Sequence, residues 1–259
     1  MTMQTAASEN VPVLLAVQTY VRDIEQARAF WREHCGLVSD EEVPVYRMGD
    51  VEWRLLAGAQ PCGTARPHGV LPAFLIDDFG AARGYLQARG IPLVFEEMIP
   101  GLNVLVLLDS DGTPIALHQP TDPSTWKLSE RKLLRTRRRQ DTDPGRPITL
   151  HGFAELTVYV GDITAGTRFY REIVGLPLGY SVFGHVHLLA ANTAVVLRQV
   201  NWRCRGLGRP HATEAVFGVS DLDGLARRLQ QGGYPIQRTG PDRLTSSDPD
   251  GWPVHFRQL

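Results

Sequence analysis

Cysteine is scarce in this chain. Cys35, Cys62 and Cys204 are the only three, odd in number, widely spaced and never in a C-x-x-C pair, so neither a disulfide framework nor a zinc knuckle is indicated. Free, partly buried thiols are expected. An excess of charge of either sign is also lacking: 27 Lys and Arg against 28 Asp and Glu leave a formal net charge of -1. No bulk field therefore draws the protein toward nucleic acid. No apolar run approaches the roughly 18 residues of a membrane span, and the start, MTMQTAASEN, has no basic segment leading into an apolar one. A cytoplasmic protein is expected, with no membrane or nucleic-acid partner and with monomer and homodimer both open.

What the chain does have is a repeat. "VQTYVRDIEQARAFWREHCGL" (Val17 to Leu37) aligns without gaps to "LTVYVGDITAGTRFYREIVGL" (Leu156 to Leu176), and "DSDGTPIALHQP" (Asp109 to Pro120) to "DPDGWPVHFRQL" (Asp248 to Leu259). Each first stretch reads as a strand, an aspartate that caps the next helix (Asp23, Asp162), an amphipathic helix and a glycine stop (Gly36, Gly175). A weaker echo, "PAFLIDDFGAARGYLQARGIP" and "AVFGVSDLDGLARRLQQGGYP", repeats this with Asp78 and Asp221 as caps. Short strand-like runs follow every helix. The fold class expected is α+β, with four βαβββ modules, two per half. The domains are 11–120 and 148–259, joined by a linker, 121–147. Seven Lys or Arg residues fall between Lys127 and Arg139, but no aromatics interleave with them. A solvated linker helix resting Trp126, Leu128, Leu133 and Leu134 on a domain is the expectation.

Paired modules with Y-V-x-D, a helix ending in F-W or F-Y, G-L and a terminal D-x-D-G strand resemble the vicinal oxygen chelate superfamily. That superfamily includes glyoxalase I, bleomycin-resistance proteins, fosfomycin-resistance enzymes, methylmalonyl-CoA epimerase and extradiol dioxygenases. The resemblance implies that the modules pair into two tandem domains, each curled into a cup. It implies metal ligands seven residues before each capping aspartate and on the strand after the D-G-x-x turn. The first half holds Ala16, Leu71 and Ala116 at these positions, and the second holds Glu155, Glu214 and His255. The expectation is a divalent metal on Glu155, Glu214 and His255, with Fe(II) favoured over Mn(II), Zn(II) or Mg(II). The family's usual trio is His, His, Glu, so the donor proportions are inverted here. The competing reading makes the two glutamates exposed strand-end charges, with His255 paired to one of them.

The resemblance further implies a small-molecule substrate in the C-terminal cup, small oxygenated and aromatic molecules included, handled by oxygenase, isomerase or lyase chemistry. "DPDGW" ahead of His255 is similar to the G-W-x-x-E turn of two-domain extradiol dioxygenases, although Thr245 stands where a Tyr or His would be sought. Tyr159, His187 and Arg257 are the catalytic candidates. His185 and His187 share a face in "GHVHLLA", Arg257 offers either an anion contact or a plain salt bridge, and Gln18, Tyr20 and His118 are expected to line a separate first-half cup without metal. A metal-free binding or drug-sequestering protein of the resistance type is the alternative function, with Tyr159, Tyr180, Phe183 and Trp202 as walls. A third is metal-free acid–base catalysis by neighbouring carboxylates.

Overall fold

A computed structural model describes residues 10–58, 69–121, 148–182, 184–200 and 213–259. Most of the linker, its four apolar residues included, and Cys62, Phe183, Trp202 and Cys204 fall outside the described residues. The first module runs β1 (Val13–Val21), helix Ile24–Cys35, β2 (Val45–Met48) and β3 (Val51–Ala57). The second runs β4 (Gly69–Leu75), helix Phe79–Ala88, β5 (Leu93–Ile99), β6 (Leu102–Leu108) and β7 (Pro114–Pro120). In the third, β8 (Gly152–Val160) leads to a short helix, Ile163–Thr167, that continues as a π-helix over Arg168–Val174; β9 (Leu178–Val182), β10 (His185–Leu189) and β11 (Ala194–Gln199) follow. The fourth comprises β12 (Thr213–Val219), helix Leu222–Gln231, β13 (Gln237–Gly240), β14 (Arg243–Ser247) and β15 (Pro253–Gln258).

The local chemistry explains these boundaries. All four aspartates cap as expected: Asp23 accepts from the Gln26 backbone N–H, Asp78 from Ala81, Asp162 from Thr164 and Ala165, and Asp221 from Gly224. Each satisfies an amide that the helix's first turn leaves without a partner. Gly36 and Gly175 end their helices at φ 68° and 97°, in the left-handed region that a Cβ disfavours. Cys35 is buried, and burial pushes its thiol up to about 12, as a free interior thiol requires.

Within every module the first strand lies parallel to the last: β1 with β3, β4 with β7, β8 with β11 and β12 with β15. The α+β, four-module architecture is present. The pairing of modules differs from the tandem expectation. One sheet has the order β13-β14-β15-β12-β1-β3-β2 and the other β5-β6-β7-β4-β8-β11-β10-β9. The first and fourth modules therefore share a sheet through β1 and β12, and the second and third share the other through β4 and β8, both antiparallel. Neither sheet belongs to one half. Contacts inside a half run instead through helices, as where Arg228 Nε donates to the Ile173 carbonyl and His34 meets the Tyr85 hydroxyl, and through turns. The Arg22 backbone N–H donates to Asp111, and at the equivalent place in the repeat the Gly161 N–H donates to Asp250.

The convex faces carry the core. Trp53 of the first sheet packs at 4.9 Å on Phe74 of the second, which meets Phe153 at 5.7 Å, and Trp31 of the first helix closes on Trp53 at 4.7 Å. A period of two along each strand sends the alternate residues to the concave faces. Those two faces hold Glu155, Tyr159, His187, Glu214, His255 and Arg257.

Candidate functional site

Sheet pairing decides which candidates meet. Glu214 on β12 and His255 on β15 lie in the first sheet, and Glu155 on β8 lies in the second. The expected three-donor cluster is thus divided two and one, and among the described residues no group of three His, Cys, Asp or Glu side chains is placed to hold a metal ion. Strand register gives the reason. Val216, two residues past Glu214, pairs with His255, and Gln18, two residues past Ala16, pairs with Arg54. Around this cup the four corresponding positions are therefore Glu214, His255, Ala16 and Arg54. Ala16 has no donor, and Arg54 is cationic and already paired with Glu52. A divalent cation bound by one carboxylate and one imidazole beside a guanidinium does not suit this donor set. In the second sheet Glu155 faces Leu71, Ala73 and Ala116, which supply no ligand at all.

What the first cup does contain is a hydrogen-bond chain. Glu214 is 5% exposed. Its Oε2 accepts from the Tyr20 hydroxyl at 3.1 Å and lies 2.6 Å from His255 Nε2. On the far side of the ring, His255 Nδ1 is 2.8 Å from the Thr245 hydroxyl. With the imidazole neutral, Nε2–H donates to the carboxylate and Nδ1 accepts from Thr245, which fixes both tautomer and ring plane. A buried carboxylate would be costly without such partners. Tyr20 is pushed up to about 12 by burial first, then by the charge and hydrogen bond of Glu214. It is a neutral donor across the ordinary pH range.

The competing sequence reading was half met, since His255 does pair with a glutamate, yet Glu214 is interior and not an exposed strand end. Tyr20 and Gln18 line this shared cup and not a first-half cup of their own, whereas His118 belongs to the second sheet. The contributions of Tyr20 and Thr245 to the His255 site were missed. Only the pairing across halves reveals Tyr20, and Thr245 is placed by the β14–β15 register, where it stands directly opposite His255. Arg257 takes the plain role and approaches Asp242 at 3.7 Å.

The catalytic candidates Tyr159 and His187 lie on the second concave face, with Glu155. There the Thr157 hydroxyl donates to Glu155 at 3.3 Å, and the His187 ring stacks on Tyr180 at 4.0 Å. His185, two residues before His187, is lowered to about 4, chiefly by burial and then by the charges of Arg198 and His187.

Residues 152–256 match the sequence model of the Glyoxalase/Bleomycin resistance protein/Dioxygenase superfamily. A comparison with curated proteins found no match. Among solved structures, glyoxalase I from Zea mays superposes with a TM-score of 0.62 at 16% identity, covering 96% of this chain and 93% of that one. A Bacillus subtilis protein provisionally named a dioxygenase gives 0.61 at 13% identity, with 95% and 84% covered. TnmS3, an antibiotic binding protein from Streptomyces sp. CB03234, aligns at 26% identity and a TM-score of 0.34 over 39% of this chain and 90% of its own. No helix among the described residues is long and apolar enough to cross a membrane. The second half of the chain thus matches the sequence model of the glyoxalase/bleomycin resistance/dioxygenase superfamily, and over nearly the whole length the four-module fold is similar to that of glyoxalase I.

Proposed function

We propose that the protein is an enzyme that transfers a proton to and from a small oxygenated molecule held on the concave face of the first sheet, without a divalent metal. The observation that carries this reading is the chain Thr245, His255, Glu214, Tyr20, assembled from four strands of two modules. Its described bonds to the carboxylate all use Oε2, so Oε1 is the atom available to take a proton from an acidic C–H or O–H beside a carbonyl. Tyr20 is placed to donate to an oxygen on which charge develops, and His255 shares the proton load of the carboxylate. A positioned acid–base group contributes about 10²- to 10⁴-fold in rate. The halves 11–120 and 148–259 each supply part of the machinery, Tyr20 from the first and the other three residues from the second.

The test is deuterium exchange from heavy water, followed by NMR, on a panel of α-hydroxy ketones, vicinal dicarbonyls and catechols. Exchange is expected to survive exhaustive chelation and to fall by two orders of magnitude or more in Glu214→Gln, in keeping with the contribution of one acid–base group. Activity that chelation abolishes and Fe(II), Mn(II), Zn(II) or Mg(II) restores would return the metal-dependent reading. Tight ligand binding with no exchange in any member of the panel would favour a sequestering protein.

A further inference from the structure

Away from both concave faces, an open groove of about 700 Å³ runs between helix Leu222–Gln231 and β13, lined by Asp223, Ala226, Arg227, Tyr234, Ile236 and Arg238. Its floor is apolar. Tyr234 is half-buried, with its ring 4.9 Å from that of Phe169, and Ile236 beside it leaves 36% of its surface bare. The rim is charged: Arg238 donates to Asp223 through Nη2, and Arg227 has no partner among the described residues. A guanidinium carries five N–H donors, so both arginines can serve further acceptors.

The complement of this groove lies at the far edge of the same sheet. Asp40, Glu41 and Glu42 are the only three consecutive acidic residues in the sequence, and they stand between two exposed valines, Val38 at 67% and Val43 at 40%, in the loop that enters β2. None of the three carboxylates has a partner among the described residues. The loop is nevertheless held in shape. Arg28 donates to the backbone carbonyls of Ser39, of Glu41 at 2.9 Å and of Glu42 at 3.3 Å, and the Ser39 hydroxyl accepts from the Val45 N–H at 3.1 Å. Those bonds use the backbone and Ser39, which leaves the acidic side chains free, and a loop ordered in advance loses little freedom on docking.

The sheet order then decides the geometry of association. β13 is the first of the seven strands and β2 the last, six spacings apart, or about 29 Å around the sheet. A contact of like with like would set arginine against arginine or carboxylate against carboxylate, which is unfavourable. Loop against groove joins opposite charges. Because the two surfaces differ, the contact is head to tail, and its repetition gives an open chain of copies or a closed ring.

We propose that the groove is a docking site for a second copy of this chain, which inserts its loop 38–43 so that Glu41 and Glu42 meet Arg227 and Arg238 and Val43 covers Ile236. No residue of this contact belongs to the Glu214 cup, and its test is independent of the reading above.

The experiment is sedimentation of the full chain from about 5 to 500 μM, a span suited to a contact smaller than a standard interface. The mass should rise with concentration and return to that of one chain in about 1 M salt, where screening acts over roughly 3 Å. A groove variant, Arg227→Glu with Arg238→Glu, and a loop variant, Glu41→Lys with Glu42→Lys, should each associate at least tenfold more weakly alone, with urea unfolding confirming their folds. Mixed in equal amounts, the two variants repel at the altered groove's own loop partner no longer: they should form a one-to-one pair through the native loop of the first and the native groove of the second, and nothing larger. One chain carrying all four changes should associate again. The proposal is overturned by a wild type that stays monomeric throughout, by either variant associating as wild type does, or by a mixture that fails to pair or grows beyond two.

Discussion

At the scale of single residues, Glu214 is where burial and function are in tension. Its hydrogen bonds hold a carboxylate in the interior, so each partner has a measurable worth. Tyr20→Phe removes a donor to a charged group and should lower stability by about 1.5 kcal/mol in urea unfolding. Glu214→Gln should act on Tyr20 in turn. Two of the three influences that raise the phenol come from Glu214, and burial alone would remain. Tyr20 should then titrate below its present value of about 12, read as the difference between ultraviolet titrations with and without Tyr20→Phe. His255 and Glu214 were legible because each half of the repeat serves as a control for the other: Ala116 and Leu71 stand at the same places in the first copy. Glu155 passed the same comparison and yet lies in the other cup. A residue-by-residue contrast shows which positions changed but is blind to which strands become neighbours.

At the scale of elements, the D-x-D-G turns are the most informative repeat. Asp109 and Asp248 are buried, each accepting backbone N–H groups of its own turn, and burial outweighs those bonds to push both up to about 6. Their folded value exceeds the unfolded one, so each favours the folded state at acid pH and loses that contribution as pH rises through about 6. The slope is about 1.4 kcal/mol per pH unit for each carboxyl. His185 works in the opposite sense, since a value lowered to about 4 removes stability as pH falls. Asp109→Asn isolates one turn: wild type should gain on the variant as pH is lowered from about 6.5 to 4.5, followed by urea unfolding. A gap that is flat or widens the other way would refute the assigned direction. Helix starts and stops were readable because caps act over three or four residues; Gly36→Ala should accordingly cost about 1 to 2 kcal/mol. Sheet order was not, because β1 meets β12 across some two hundred residues, and alternation along a strand does not name its neighbour.

At the scale of the whole molecule, the two halves share both sheets and one core. Trp53 sits where the sheets meet, so Trp53→Ala should cost about 3 to 5 kcal/mol. The same sharing means that 148–259 alone presents two open strand edges, β8 without β4 and β12 without β1. Because β8 repeats β1 and β12 repeats β4, a second copy of the fragment can complete both. The fragment is expected to be a homodimer by analytical ultracentrifugation, with β8 of each copy against β12 of the other. Glu155 then stands where Ala16 stands now, beside Glu214 and His255 of the other copy. Every cup of that dimer would hold three donors and should take up one divalent ion, and the full chain should take up none. In such a fragment dimer each strand would serve two identical cups, whereas in the full chain the crossed pairing makes the cups different and divides between them the donors that the fragment would bring together.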